Sequence, residues 1–273
     1  MKWDIEIISD METQELLVHN PIASQTKGKK AYDATQRPAG PEQPTPARMI
    51  SVIIPAHNEE NYVGATLEAL RRQDYGWFEV VVVANGCVDQ TAGAARGQCN
   101  RLIVLSQKSL GVARNLGARM AKGEILVFLD ADTLLEPHAL KVIARQFKKE
   151  NAAGTLKGRP DAERFHYKLV YFLKNFTHRT RLHLGSSGVI ICWRDHFMQA
   201  GGFDEGLEVR ENSDVIWRLR RFGSYRYIDT AAATTSMRRY DRQGWGRIVW
   251  LWCKLWFQTH FGDLHQRRYE AVR

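Results

Sequence analysis

Gly123-Glu-Ile-Leu-Val-Phe-Leu-Asp-Ala-Asp-Thr133 joins an uninterrupted apolar run, Ile125 to Leu129, to two aspartates. A short apolar run bounded by a glycine and by polar residues predicts a strand buried on both faces. Three runs of the same kind lie upstream: Ser51-Val-Ile-Ile-Pro55, Phe78-Glu-Val-Val-Val-Val83 and Leu102-Ile-Val-Leu105. Between them, Val63, Leu67 and Leu70 recur at helical spacing, as do Val112, Leu116 and Met120. Alternating strands and helices predict an α/β fold with a mostly parallel central sheet and flanking helices. Ligands of such sheets bind beyond the carboxyl ends of the strands. That rule points to His57-Asn58-Glu59, Asn85-Gly86-Cys87 and Asp130-Ala131-Asp132.

The second half is less regular. Gly188–Cys192 and Tyr225–Ile228 read as strands. Ser213–Phe222 reads as a short helix capped by Asn212 or Ser213. Thr133 and Pro137 announce a helix after the aspartates. Within Phe165–Leu182, the residues Phe165, Leu169, Phe172 and Phe176 share one helical face, which suits core packing first and a membrane interface second. Residues 1–49 read as an extension, with Pro38, Pro41, Pro44 and Pro46 forming a linker. A strand pair is conceivable within residues 1–20. A catalytic domain is expected over residues 50–240, followed by a basic, Trp-rich helix and tail over 241–273.

Residues two apart in a strand point the same way, so Asp130 and Asp132 are expected to converge at the strand mouth. Two like charges repel there unless a cation lies between them. Mg²⁺ or Mn²⁺ takes oxygen ligands and is commonly shared between carboxylates and substrate phosphates. The segment Pro55-Ala56-His57-Asn58-Glu59-Glu60 ends one strand and opens a helix, where backbone N–H groups suit polar ligand atoms. The Asn85 amide can pair with a nucleobase edge, and Arg114, beside Asn115, can reach a diphosphate or a base.

Four segments together resemble the family 2 glycosyltransferases: Ser51–Glu60, Gly111-Val-Ala-Arg-Asn-Leu-Gly117, Gly123–Thr133 and Gly201-Gly-Phe-Asp-Glu205. The resemblance spans roughly residues 50–240. It implies a GT-A nucleotide-diphospho-sugar transferase fold and transfer of a hexose from a UDP- or GDP-sugar with inversion. It also implies that Asp130 and Asp132 serve the donor diphosphate and its metal. Two departures stand out. Ala84-Asn85 occupies the place of a family Asp pair, which leaves the nucleobase open. Glu211-Asn-Ser-Asp-Val-Ile-Trp-Arg-Leu219 matches a family segment in which position 212 is usually the catalytic Asp. An amide is no general base near neutral pH. The catalytic candidates are therefore Glu211, Asn212 and Asp214, and the alternative is an inactive nucleotide-sugar-binding module.

Met237-Arg-Arg-Tyr-Asp-Arg-Gln-Gly-Trp245 resembles a family segment that lies over the donor and acceptor, which adds Arg239, Arg242 and Trp245 to the donor-binding candidates. The Trp-rich helix expected over Trp245–Phe261 is too short and charged to span a bilayer. Its Trp and basic residues suit either a membrane interface or packing on the sheet.

The chain carries a formal net charge of +9, concentrated from Arg218 onward, where 12 Lys/Arg stand against 4 Asp/Glu. That excess suits phosphates or acidic lipid headgroups. A nucleic-acid partner is not expected, because it would leave the carboxylates at the strand ends without a role. Four scattered cysteines with no CxxC pair point to reduced thiols. The acidic first twenty residues lack the apolar stretch of a secretory signal. A cytoplasmic enzyme is expected, peripheral at the inner membrane face, with a glycan or lipid phosphate as acceptor.

Overall fold

The computed structural model describes residues 4–8, 48–207, 210–244 and 246. Among these residues one nine-stranded sheet runs through the molecule. Its parallel half contains β2 (Ile50–Ala56), β3 (Phe78–Asn85), β4 (Arg101–Leu105) and β5 (Ile125–Leu129), in the order β4-β3-β2-β5. These are the four expected apolar runs. β2 and β5 are buried along their whole length. β1 (Ile5–Ile8) adds a single antiparallel edge strand to β4.

Alternate strand residues enter two cores. Ile54 and Val82 pack with Val63, Leu67 and Leu70 of α1 (Val63–Arg71) on one face. Ile53, Val81 and Val83 pack with Val112 and Leu116 of α3 (Leu110–Met120) on the other. Each such side chain contributes about 1.5–3 kcal/mol by leaving water. Gly117 lets α3 press onto β2, since a Cβ there would fall 2.5 Å from the Ile53 side chain.

The second half is mixed. β8 (Val189–Trp193) runs antiparallel to β5 and to β7 (Asn151–Pro160). β9 (Ser224–Thr235), much longer than the expected strand, is parallel to β7. The helix anticipated after the aspartates is delayed. β6 (Thr133–Leu135) first pairs with β9, and α4 begins only at Ala139 and ends at Gln146. α2 (Thr91–Ala95) and α6 (Arg194–Gln199) are short connectors.

Two helices depart from the sequence reading. α7 spans Glu211–Leu219, so Asn212 lies inside its first turn; the capping residue is Arg210, at φ 66°. α5 (Phe165–Arg179) turns the other way round from the expected core packing. Tyr167, Tyr171 and His178 are its buried residues, whereas Phe165, Leu169, Phe172 and Phe176 are exposed. Tyr167 and Tyr171 pack against Met237 and Tyr240 around α8 (Arg238–Gln243). The expected Trp-rich helix over Trp245–Phe261 lies outside the described residues apart from Gly246.

Candidate active site at the carboxyl ends of the parallel strands

The strand order reverses at β2, whose neighbours are β3 on one side and β5 on the other. A crevice opens beyond the carboxyl ends at such a switch point. The segments after β2, β3 and β5 meet there.

Asp130 and Asp132 occupy a tight turn after Leu129, which corrects the expectation that strand alternation aligns them. The turn is clamped from three sides. Asp130 N donates to Gly188 O at 3.0 Å, and Ser236 N donates to Asp132 O at 3.1 Å. The Thr66 hydroxyl donates to Ala131 O at 2.7 Å.

Each carboxylate meets its own arginine. Arg114 Nη2 lies 3.4 Å from Asp130, and Arg238 Nη2 lies 3.1 Å from Asp132. Arg238 also contacts Glu59 and lies 4.0 Å over the Tyr62 ring. Burial, reinforced by Asp130, pushes the Asp132 carboxyl up to about 6, against the opposing charge of Arg238. A cavity of about 90 Å³ lined by Tyr62, Thr66, Asp132, Asp161 and Ser236 adjoins it.

Arg114 is buried and links the strand end to α7. Its Nη1 donates to Asn212 Oδ1 at 2.8 Å and to Glu211 Oε1 at 3.1 Å. The Asn212 amide nitrogen donates to Ser186 Oγ at 3.1 Å. Asp214 is joined instead to Arg218, at 2.5 Å and 3.0 Å, and is outside the group that Arg114 gathers. Asn115 holds the Gly201–Glu205 loop against α3 by accepting from Phe203 N at 2.8 Å and donating to Phe203 O at 2.8 Å.

The other donor-binding candidates have more local partners. Pro55 and Ala56 are buried within β2. Asn58 accepts from Val88 N at 3.0 Å, and Glu59 N donates to Thr91 Oγ1 at 2.7 Å. These bonds join the loops after β2 and β3. The Asn85 side chain is buried and accepts from Ser109 N at 2.7 Å, which positions the start of α3. Arg239 and Arg242 are exposed on α8, and Trp245 lies outside the described residues.

The sequence reading missed Arg238, Lys174 and Tyr171. The doubled arginine Arg238-Arg239 was a signal, but the register of α8 decides which one turns inward. Lys174 is half-buried on α5; desolvation lowers its ammonium to about 8, while Asp130 pulls it the other way. Tyr171 is buried, and burial and both aspartates raise its phenol.

No group of three or more His, Cys, Asp or Glu that could enclose a metal exists among the described residues. Two carboxylates in a turn nevertheless suit Mg²⁺ or Mn²⁺, which commonly completes its oxygen shell with substrate phosphates and water.

Comparison with known proteins adds identity. The family model described as glycosyl transferase family 2 matches residues 51–205. The putative glycosyltransferase EpsH of Bacillus subtilis is 35% identical over 98 residues, covering 34% of this chain and 28% of that protein. The chain thus spans well under two thirds of that relative's length. Among solved structures, Staphylococcus aureus TarS in complex with UDP-GlcNAc matches with a TM-score of 0.54 at 21% identity, covering 68% of this chain and 58% of that one. The mannosyltransferase PcManGT of Pyrobaculum calidifontis, in complex with GDP-Man and Mn²⁺, matches with a TM-score of 0.58 at 20% identity, covering 70% and 57%. The fold is that of the GT-A structures, and the chain belongs to glycosyl transferase family 2.

Proposed function

We propose that this chain transfers a hexose from a UDP- or GDP-sugar to a glycan or lipid-linked acceptor, with inversion and with help from Mg²⁺ or Mn²⁺. The observation that carries the reading is the Asp130–Asp132 turn at the switch point, faced by Arg114, Glu211 and Asn212. The two matched structures hold a UDP-sugar and a GDP-sugar respectively, which supports a nucleotide-sugar donor.

Asp130 and Asp132 would hold the cation on the donor diphosphate. When bound, it would neutralise the leaving group as a Lewis acid. The acceptor oxygen attacks the anomeric carbon from the face opposite the diphosphate, and the bond from that carbon to the phosphate oxygen breaks. Arg114 supplies fixed positive charge beside the reacting groups without reorganising. Glu211, beside Asn212, would take the proton of a hydroxyl acceptor, whereas an ionised phosphate acceptor has none to lose. The neutral amide of Asn212 beside Arg114 favours a second reading, a module that binds nucleotide sugar without turnover.

A melt in UDP- and GDP-sugars, with Mn²⁺ and with chelator, tests the proposal. Donor at a hundred times Kd raises stability by about 2.7 kcal/mol. Stabilisation that needs Mn²⁺ and disappears in Asp132→Ala, together with sugar transfer or slow donor hydrolysis, supports the transferase. Stabilisation without turnover favours the binding module. The absence of any response to either nucleotide sugar would defeat both.

A further inference from the structure

α5 presents to solvent the side of itself that looks most like a core. Phe165 is 79% exposed, Phe172 64%, Leu173 52% and Phe176 50%. Leu169 and, just past the helix, Leu182 continue the stripe. Isolated exposed apolar residues need no explanation, but a contiguous row along one helix marks an interaction surface. From Arg164 to Leu184 the sequence holds five Lys/Arg and no Asp/Glu. Four of these are exposed beside the apolar row: Arg179 and Arg181, together with Arg164 and Lys168, which pair with Asp241 and Glu163. An apolar stripe bordered by cations is the chemistry of a helix lying in the headgroup region of an anionic bilayer.

The opposite side of the same helix belongs to the candidate site. Tyr171 and Lys174 feel the charge of Asp130, and Tyr167 donates to Asp241 Oδ1 at 2.6 Å, tying α5 to α8. The helix is therefore braced from within, and its outer face adds nothing to the described cores.

We infer that the outer face of α5 docks the protein on an anionic membrane surface, with Phe165, Leu169, Phe172 and Phe176 entering the interface and Arg179 and Arg181 meeting the headgroups. This places one wall of the candidate site against the bilayer. Docking is independent of the transferase reading, because it requires neither donor nor acceptor.

The test is co-sedimentation of the full chain with vesicles of phosphatidylcholine containing one third phosphatidylglycerol. Phe172→Ser with Phe176→Ser should weaken binding at least about ten-fold, given the apolar surface removed. Arg179→Glu with Arg181→Glu should abolish the preference for anionic over neutral vesicles. Both variants should keep the melting temperature and monomer–oligomer distribution of the parent in the absence of lipid. Unchanged vesicle binding by the Phe variant would overturn the inference and assign any membrane contact to another part of the chain. A lowered melting temperature would also overturn it, by showing that the chain itself covers the face. Loss of a dimer in the Phe variant would assign the face to a second copy.

Discussion

Arg114 donates to Asn212 at 2.8 Å from a position that is almost wholly buried. Its guanidinium fork simultaneously reaches Glu211 and Asp130, so one cation organises the strand end and the first turn of α7. Lys offers a compact ammonium in place of that planar fork and cannot reproduce the arrangement. Arg114→Met should lower stability by about 3–5 kcal/mol, because Glu211 keeps a poorly solvated charge without its partner. Arg114→Lys should recover much of that stability in urea titrations but little donor binding. Equal donor affinity in the Lys variant would reduce Arg114 to a structural ion pair.

Arg238 occupies the neighbourhood of Asp132 and Glu59 that a divalent cation would share. Arg238→Met should therefore tighten Mn²⁺ binding in the absence of donor, measured by calorimetry. The same variant should bind donor less tightly if the guanidinium also contacts the diphosphate. Mn²⁺ affinity unchanged from the parent would show that arginine and metal do not compete.

The parallel half of the fold was legible because β2 and β5 are buried on both faces, and such strands need unbroken apolar runs. Asp130 and Asp132 stand out as candidates for the same reason, since a charged pair directly after such a run is conspicuous. Their geometry was not legible, because hydrogen bonds from Gly188, Ser236 and Thr66 fold them into a turn. Those partners are distant in sequence. That Arg238 rather than Arg239 turns toward Asp132 was not legible, because the register is fixed by the packing of Met237 and Tyr240 against α5. α5 misled for a compositional reason. Its inward side uses Tyr, Lys and His, which a hydrophobic count discounts, while phenylalanines lie outside.

His178 gives the molecule an acid-sensitive joint on that inward side. Burial, with Lys174 nearby, lowers its imidazole from 6.5 to about 3. Between these values the unfolded chain binds a proton that the folded chain refuses. The stability contributed by neutral His178 is thus complete above pH about 6.5 and is lost progressively as pH falls toward 3. Its ceiling is on the order of 5 kcal/mol. His178→Gln, which can still donate to His183 O, should flatten the acid limb of urea midpoint against pH. Parallel curves for the two proteins would show that another group controls the acid limb.

Asn212 links the arrangement of the site to the choice of acceptor. A hydroxyl acceptor needs a base to remove its proton, whereas a phosphate monoester is already ionised at pH 7. A neutral amide at 212 adds no third carboxylate to the Glu211 and Asp130 already gathered on Arg114, so an anionic acceptor meets less repulsion there. Asn212→Asp would bring a carboxylate to a position already supplied with two donors, Arg114 Nη1 and the Ser186 hydroxyl. The variant should therefore fold with undiminished stability. If lipid phosphate is the natural acceptor, Asn212→Asp should reduce its use through repulsion while raising transfer to a hydroxyl acceptor by about a hundred-fold or more. Asp214→Asn should change neither rate, because Asp214 is engaged by Arg218 outside the gathered group. Glu211→Gln should lower both rates by disturbing Arg114. Acceptor competition with donor held saturating measures all four proteins. A parent that never uses lipid phosphate, and a variant that gains sharply on hydroxyls, would identify Asn212 as a disabled base position.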